Sequence, residues 1–205
     1  PGVSLEIEPV RDYPTGSLTA NIIGYLGPIS ASQQTAYEER GFVTNRDKIG
    51  YAGVETSMDD ILLGKNGLRV IQEDVAGEEL RNLEPPIPPT PGYNVTLTID
   101  TRLQKVAEAS LIDEINFWNT RLEAARRISS GVVIAMNPKT GEILAMVSYP
   151  TYENNRLARF IPGYYYNQLA QDPRRPLVNN AISAELAPGS TFKLSTATGA
   201  LNEGV

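Results

Sequence analysis

The sequence predicts an α+β chain: a mixed α/β module, then a helix, an antiparallel hairpin and a second helix. Three observations carry this prediction. Short β-like runs alternate with Pro and Gly through the first 90 residues. A stretch with helical spacing then follows a proline-rich connector. Directly after it, two β-forming runs flank the five-residue turn Asn137-Pro138-Lys139-Thr140-Gly141. The 205 residues are 41% hydrophobic and 20% charged, a balance that supports folded domains rather than a disordered tail.

In chain order, residues 3–7 and 18–25 read as strands, punctuated by Pro9, Pro14-Thr15-Gly16 and Gly27-Pro28. Residues 30–41 read as a short polar helix, and 58–63 as a clearer one ended by Gly64. Lys65-Asn66-Gly67, flanked by Leu63, Leu68 and Val70, reads as a hairpin-type connection into a strand over 68–75. Residues 84–92 contain five prolines, which donate no ladder hydrogen bonds and hold the backbone extended. The boundary between two domains, 1–90 and 91–205, is placed in this connector.

Beyond it, 94–99 alternates as a strand, and Thr101 with Gln104 has the spacing of a capping box. Leu103, Ala107, Leu111, Ile115, Trp118 and Leu122 recur at helical spacing, predicting a helix to about residue 127 with Trp118 in the core. Residues 131–136 and 142–148 form the predicted hairpin, packed on that helix. The tyrosine- and asparagine-rich run 150–176 is read as irregular, with Tyr164-Tyr165-Tyr166 lining a cleft or packing on its own domain.

The chemistry is narrowed by what is missing. There is no cysteine and no histidine, which removes thiol catalysis, Ser-His-Asp catalysis, His-bound zinc and disulfide staples from these 205 residues. A net charge of −6 without a basic stripe argues against a nucleic-acid partner, and no metal or cofactor is expected. A nucleophilic serine here needs a lysine or a carboxylate as its base. No run reaches the roughly 20 apolar residues that span a bilayer. The chain opens at Pro1 without a methionine and stops just past a helix, so it is read as an internal piece, with upstream sequence as the place for whatever anchor or address the full protein carries.

Ser190-Thr191-Phe192-Lys193 is the stretch with chemical promise. Pro188-Gly189 reads as a turn, and Leu194, Ala197, Ala200 and Leu201 continue a helix closed near Gly204. Residues three apart share a helix face, so the Lys193 amine can reach the Ser190 hydroxyl. A serine attacks poorly until its proton is taken, and an amine takes it where burial or a nearby cation disfavours the ammonium. Twelve serines and five lysines make about 0.3 such pairs by chance, so on spacing alone a capped helix with a solvent-facing lysine is the stronger reading.

Helix, hairpin, long excursion and then Pro-Gly-Ser-Thr-Phe-Lys is the order in which the transpeptidase domain of penicillin-binding proteins begins. The chain resembles that family, and within it the class B, penicillin-binding protein 2-like branch. The resemblance rests on 94–100 with Leu103-Gln104, on 133–141, on 143–150, on Pro176-Leu177-Val178-Asn179 and on 188–193. Upstream, Gly53-Val54-Glu55 with Leu63-Gly64 and Gly67 resembles the pedestal, or dimerisation, module. These ordered matches extend over nearly the whole chain and are far more specific than the serine-lysine pair.

The resemblance implies an extracytoplasmic D,D-transpeptidase that cross-links peptidoglycan and is tethered by an upstream membrane helix. Ser190 is then the acylated nucleophile, Lys193 its proton acceptor, and the Ser190 N–H half of an oxyanion hole. Implied partners are peptidoglycan stem peptides, β-lactams and other membrane proteins of wall synthesis. The family's later Ser-x-Asn and Lys-Thr-Gly elements are absent from the twelve residues after Lys193, so the resemblance implies a sheet left incomplete, with only its first hairpin, and a chain that alone is inactive and prone to self-association. Lys139-Thr140-Gly141 precedes the serine and is assigned to turn chemistry; Asn180, where many relatives carry arginine, is given no role. A non-catalytic binding module of the wall-synthesis machinery and a β-lactam sensor or serine β-lactamase are the alternatives.

Overall fold

The computed structural model describes residues 10–185 and 187–204, so the strand expected over 3–7 lies outside the described residues. A 3-10 turn, Gly16–Thr19, leads into the short helix α1, Ala20–Ile23. The strand expected over 18–25 is therefore helical. Its backbone is satisfied by side chains from far along the chain instead of by a ladder. Thr151 Oγ1 donates to Ser17 O at 3.0 Å, Tyr152 OH to Ala20 O at 2.9 Å and Asn154 Nδ2 to Gly24 O at 3.2 Å.

Strand β1 (Leu26–Pro28) is followed by helix α2 (Gln34–Glu38) and by β2 (Lys48–Gly50), which pairs antiparallel with β1 through Gly27 and Ile49. Helices α3 (Gly53–Ser57) and α4 (Asp59–Leu62) follow. This junction is tight: a Cβ on Gly53, whose φ is +56°, would lie 2.3 Å from Ile22 O. Glu55 on α3 is buried and takes two ion-pair contacts from Arg11, at 2.8 and 2.9 Å, with Tyr13 OH donating to it at 3.3 Å.

Lys65-Asn66-Gly67 does not join two strands of one hairpin. Lys65 and Leu68 pair instead with Thr90 and Ile87 of the proline-rich connector. Ile87 and Thr90 are non-proline residues, and their N–H groups donate to Leu68 O at 2.8 Å and Lys65 O at 2.9 Å. The strand expected over 68–75 shortens to β3 (Ile71–Glu73), paired with β4 (Glu79–Asn82).

Residues 94–99 form no ladder; this run meets the hairpin through Thr98 Oγ1 to Ile143 O at 2.6 Å and Asp100 N to Leu144 O at 2.9 Å. Helix α5 (Thr101–Asn119) is capped by Asp100, which accepts from the N–H groups of Arg102 and Leu103. Gln104 is thus not the capping-box partner of Thr101. The helix also ends before residue 127, because Asn119 turns the chain back through a reciprocal pair with the Ile128 backbone, at 2.8 and 2.7 Å. The inward face carries Gln104, Leu111 and Ile115. Trp118, expected in the core, is 45% exposed, with its Nε1 donating to Glu114 at 2.7 Å.

Strands β5 (Gly131–Met136) and β6 (Ile143–Tyr149) form the expected hairpin on α5. Gly131 lies where a Cβ would be 2.9 Å from Leu111 Cδ1, which explains the close approach of strand and helix. Among the described residues the strands thus form three separate antiparallel pairs. The excursion after β6 is more ordered than its sequence reads, with a 3-10 turn at Asn154–Leu157 and helix α6 at Gly163–Gln171. Tyr165 and Leu169 of α6 join Ala20, Tyr25, Tyr152 and Leu157 in the larger core. That core joins residues 20–25 to residues 152–169. A smaller one gathers Ile29, Phe42 and Ile49.

Candidate active site

Helix α7 (Asn180–Ser183) packs on β5 and β6, and a 3-10 turn, Gly189–Phe192, runs on into helix α8 (Lys193–Glu203). Gly189 has φ +57°, a left-handed value that glycine adopts at little cost and that turns the chain into this segment. Ser190 therefore lies in the 3-10 turn, and Lys193 is the first residue of α8. The Lys193 N–H donates to Ser190 O, closing the turn between them. Thr191 Oγ1 bonds back to Pro188 O, and Thr196 and Thr198 hydroxyls donate to carbonyls one turn earlier, at 3.2 and 2.8 Å. Gly204 ends α8 in the left-handed conformation, φ 72°.

Ser190 and Lys193 are both exposed. Among the described residues their side chains make no hydrogen bond to each other or to a third group. The N–H groups at the start of a helical turn lack intrahelical acceptors, so this end of the segment can stabilise an oxyanion. Phe192, Leu194 and Leu201 expose 60, 78 and 80% of their surface, so the apolar face of α8 is uncovered. Lys139, Thr140 and Gly141 form the tip of the β5–β6 hairpin: Asn137 Oδ1 accepts from Lys139 N at 3.0 Å, and Gly141 has φ +79°.

Two groups that the sequence leaves without a role, or gives another, prove central to the geometry. Gln104 is buried; its Nε2 donates to Leu18 O at 3.1 Å and Met146 O at 2.8 Å, and its Oε1 accepts from Met146 N at 2.7 Å. Asn179 caps α7 and donates to Asn21 O at 3.0 Å. An asparagine ahead of a short helix is a cap signal that the sequence does carry; its second bond, to a residue so distant in the chain, has no local signature.

Residues 1–97 match the penicillin-binding protein dimerisation domain, and residues 131–205 the penicillin-binding protein transpeptidase domain. Over its full 205 residues the chain is 35% identical to the peptidoglycan D,D-transpeptidase MrdA of Acinetobacter baumannii, of which it covers 28%. It thus spans less than a third of the length of the curated relatives it matches. Among solved structures, it is similar to a component of a peptidoglycan synthase complex that coordinates polymerization and crosslinking. That match has a TM-score of 0.78 and 34% identity, over 95% of this chain and 33% of the other. A second match is to the complex between penicillin-binding protein PBP2 and MreC from Helicobacter pylori, with a TM-score of 0.69 and 28% identity, over 93% and 32%. Matched in order by both domains, by whole-chain relatives and by solved structures, the chain belongs to the penicillin-binding proteins, on their class B, penicillin-binding protein 2-like branch.

Proposed function

We propose that the whole protein is a peptidoglycan D,D-transpeptidase and that Ser190 is its acylated residue. The observation that carries this reading is the Ser-x-x-Lys turn at the head of α8, inside the stretch that matches the transpeptidase domain. Ser190 Oγ bonds to the carbonyl carbon of the penultimate D-alanine of a stem peptide while Lys193 takes the hydroxyl proton. The tetrahedral oxyanion, held by backbone N–H groups that include that of Ser190, collapses with cleavage of the C–N bond. The terminal D-alanine leaves with the returned proton. An amine of a neighbouring strand then attacks the ester, forming the cross-link and freeing Ser190. A β-lactam acylates the same oxygen by opening its ring.

A lysine acts as a general base where burial or a neighbouring cation disfavours its ammonium form. Lys193 is exposed, so the reading requires further surface over the head of α8, and the 205 residues alone are proposed to be inactive. Residues 1–90 are assigned to the pedestal and 91–205 to the first part of the catalytic domain. The protein is placed on the outer face of the cytoplasmic membrane by an upstream helix; among the described residues, no helix is long and apolar enough to cross a membrane. Wall-synthesis membrane proteins are the proposed partners, supported by the solved complexes of its relatives. The uncovered face of α8 supports self-association of the isolated chain.

A binding role for the pedestal has its own support. Leu68, Leu80, Leu83 and Ile87 are each more than half exposed around the β3–β4 pair and the connector, an apolar surface suited to a protein partner. The test that separates the readings is exposure of the 205-residue chain and the full-length protein to a fluorescent penicillin, with intact-mass readout. A single adduct on Ser190 of the full-length protein, lost in Ser190→Ala, is expected. No adduct on a folded full-length protein would sink the enzyme and leave the binding module.

A further inference from the structure

Asn179 stands where the N-terminal unit (residues 10–90), the hairpin and the run leading to Ser190 meet, and the chemistry above makes no use of it. Its Oδ1 accepts the Ala181 N–H at 3.0 Å and caps α7. Its Nδ2 donates to Asn21 O at 3.0 Å, across 158 positions of the sequence, with a weaker contact to Met146 Sδ at 3.7 Å. The residues on either side are held as well. Val178 O accepts from the Ser148 hydroxyl at 3.4 Å, and Asn180 N donates to that hydroxyl at 2.9 Å. Ser148 O accepts in turn from Asn21 Nδ2 at 3.3 Å. Asn21, Ser148 and the backbone on either side of Asn179 thus close a ring of hydrogen bonds joining α1, β6 and the head of α7. Ser148 is only 5% exposed, so water competes poorly for these bonds.

Downstream the situation reverses. Among the described residues, no hydrogen bond or ion pair ties 185 or 187–204 to any earlier part of the chain; their bonds are internal to the turn and α8. Helix α7, by contrast, packs on both hairpin strands. Helix α7 is therefore the last fixed element before Ser190, and one of the bonds at its head, that to Asn21 O, comes from the N-terminal unit.

We propose that Asn179 is a positioning residue that keys the stretch leading to Ser190 to Asn21 of the N-terminal unit. This rests on the reading of Ser190 as the acylated serine. Of the two routes from α1 to this stretch, the bond from the Asn179 amide to the Asn21 carbonyl is the direct one and the other runs through Ser148, while the cap itself keeps α7 formed.

Asn179→Asp separates the two roles, because aspartate caps a helix as well as asparagine does but has no N–H to give Asn21 O. In the full-length protein, its acylation rate by a fluorescent penicillin is expected to fall about tenfold per folded molecule, the effect of one lost hydrogen bond. Thr151→Ala, which cuts a neighbouring tie to Ser17 O, is the control: it lowers the melting temperature and leaves the rate unchanged. Wild-type rates in Asn179→Asp would overturn the inference alone. Equal slowing in Thr151→Ala would assign the effect to general loosening and overturn it too. Absence of any Ser190 adduct in the parent protein would remove the functional reading and this one together. Should Asn179→Asp not fold, Asn179→Ser, with a shorter cap that cannot reach Asn21, takes its place under the same expectations.

Discussion

The buried amide of Gln104 pairs with the backbone of Met146 in both directions, Nε2 to O at 2.8 Å and N to Oε1 at 2.7 Å, while the same Nε2 also holds Leu18 O. One side chain on α5 therefore substitutes for a missing strand neighbour on β6 and ties the N-terminal unit to both.

Gln104→Leu keeps the volume and removes every one of these bonds. It leaves the Met146 N–H and two carbonyls without partners, and each such buried group costs about 1–3 kcal/mol. A loss of about 3 kcal/mol in urea unfolding is expected, with α5 and the hairpin still formed. A change below about 1 kcal/mol would show that solvent reaches these groups.

Two glycines should respond in opposite senses to alanine. At Gly53 the backbone is left-handed and the new Cβ would lie 2.3 Å from Ile22 O, so Gly53→Ala is expected to disrupt the α1–α3 junction and leave little soluble protein. Gly199 lies inside α8 with nothing within 4 Å of its added Cβ. Gly199→Ala should stabilise α8 by about 1 kcal/mol, read as slower amide exchange over the helix.

Alkaline pH should unfold the protein through its buried tyrosines. Burial, and then the charges of Tyr166 and Tyr51, push Tyr25 up from 10.0 to about 12. Tyr152 is raised by burial, and Tyr13 by burial and the Glu55 carboxylate beside it. Between pH 10 and 12 the folded state keeps protons that the unfolded chain releases, so stability is full below pH 10 and falls as pH rises through this window. Tyr25→Phe should flatten the upper limb of a pH–melting curve while changing little at neutral pH. An unchanged alkaline limb would assign the effect to other groups.

What the sequence determined by itself is whatever short-range chemistry specifies. The β5–β6 hairpin follows from two β-forming runs and a turn ending in Gly141, and α8 from its spacing and the Gly204 cap. The family follows from matches in a fixed order. Tertiary structure decided the rest. Residues 18–23 are helical because Gln104 and residues near 150 supply their hydrogen-bond partners, with Leu18 and Gln104 86 positions apart. Trp118 is exposed because the inward face of α5 is set by contact with Gly131 and β6, which the helical repeat alone does not orient. Ile87 and Thr90 pair while the prolines around them do not, and Lys65 and Leu68 become their partners only once the chain has folded back. The Asn21–Asn179 bond joins residues 158 positions apart in the sequence. A local pattern records what a residue prefers; which distant group meets that preference is decided by packing.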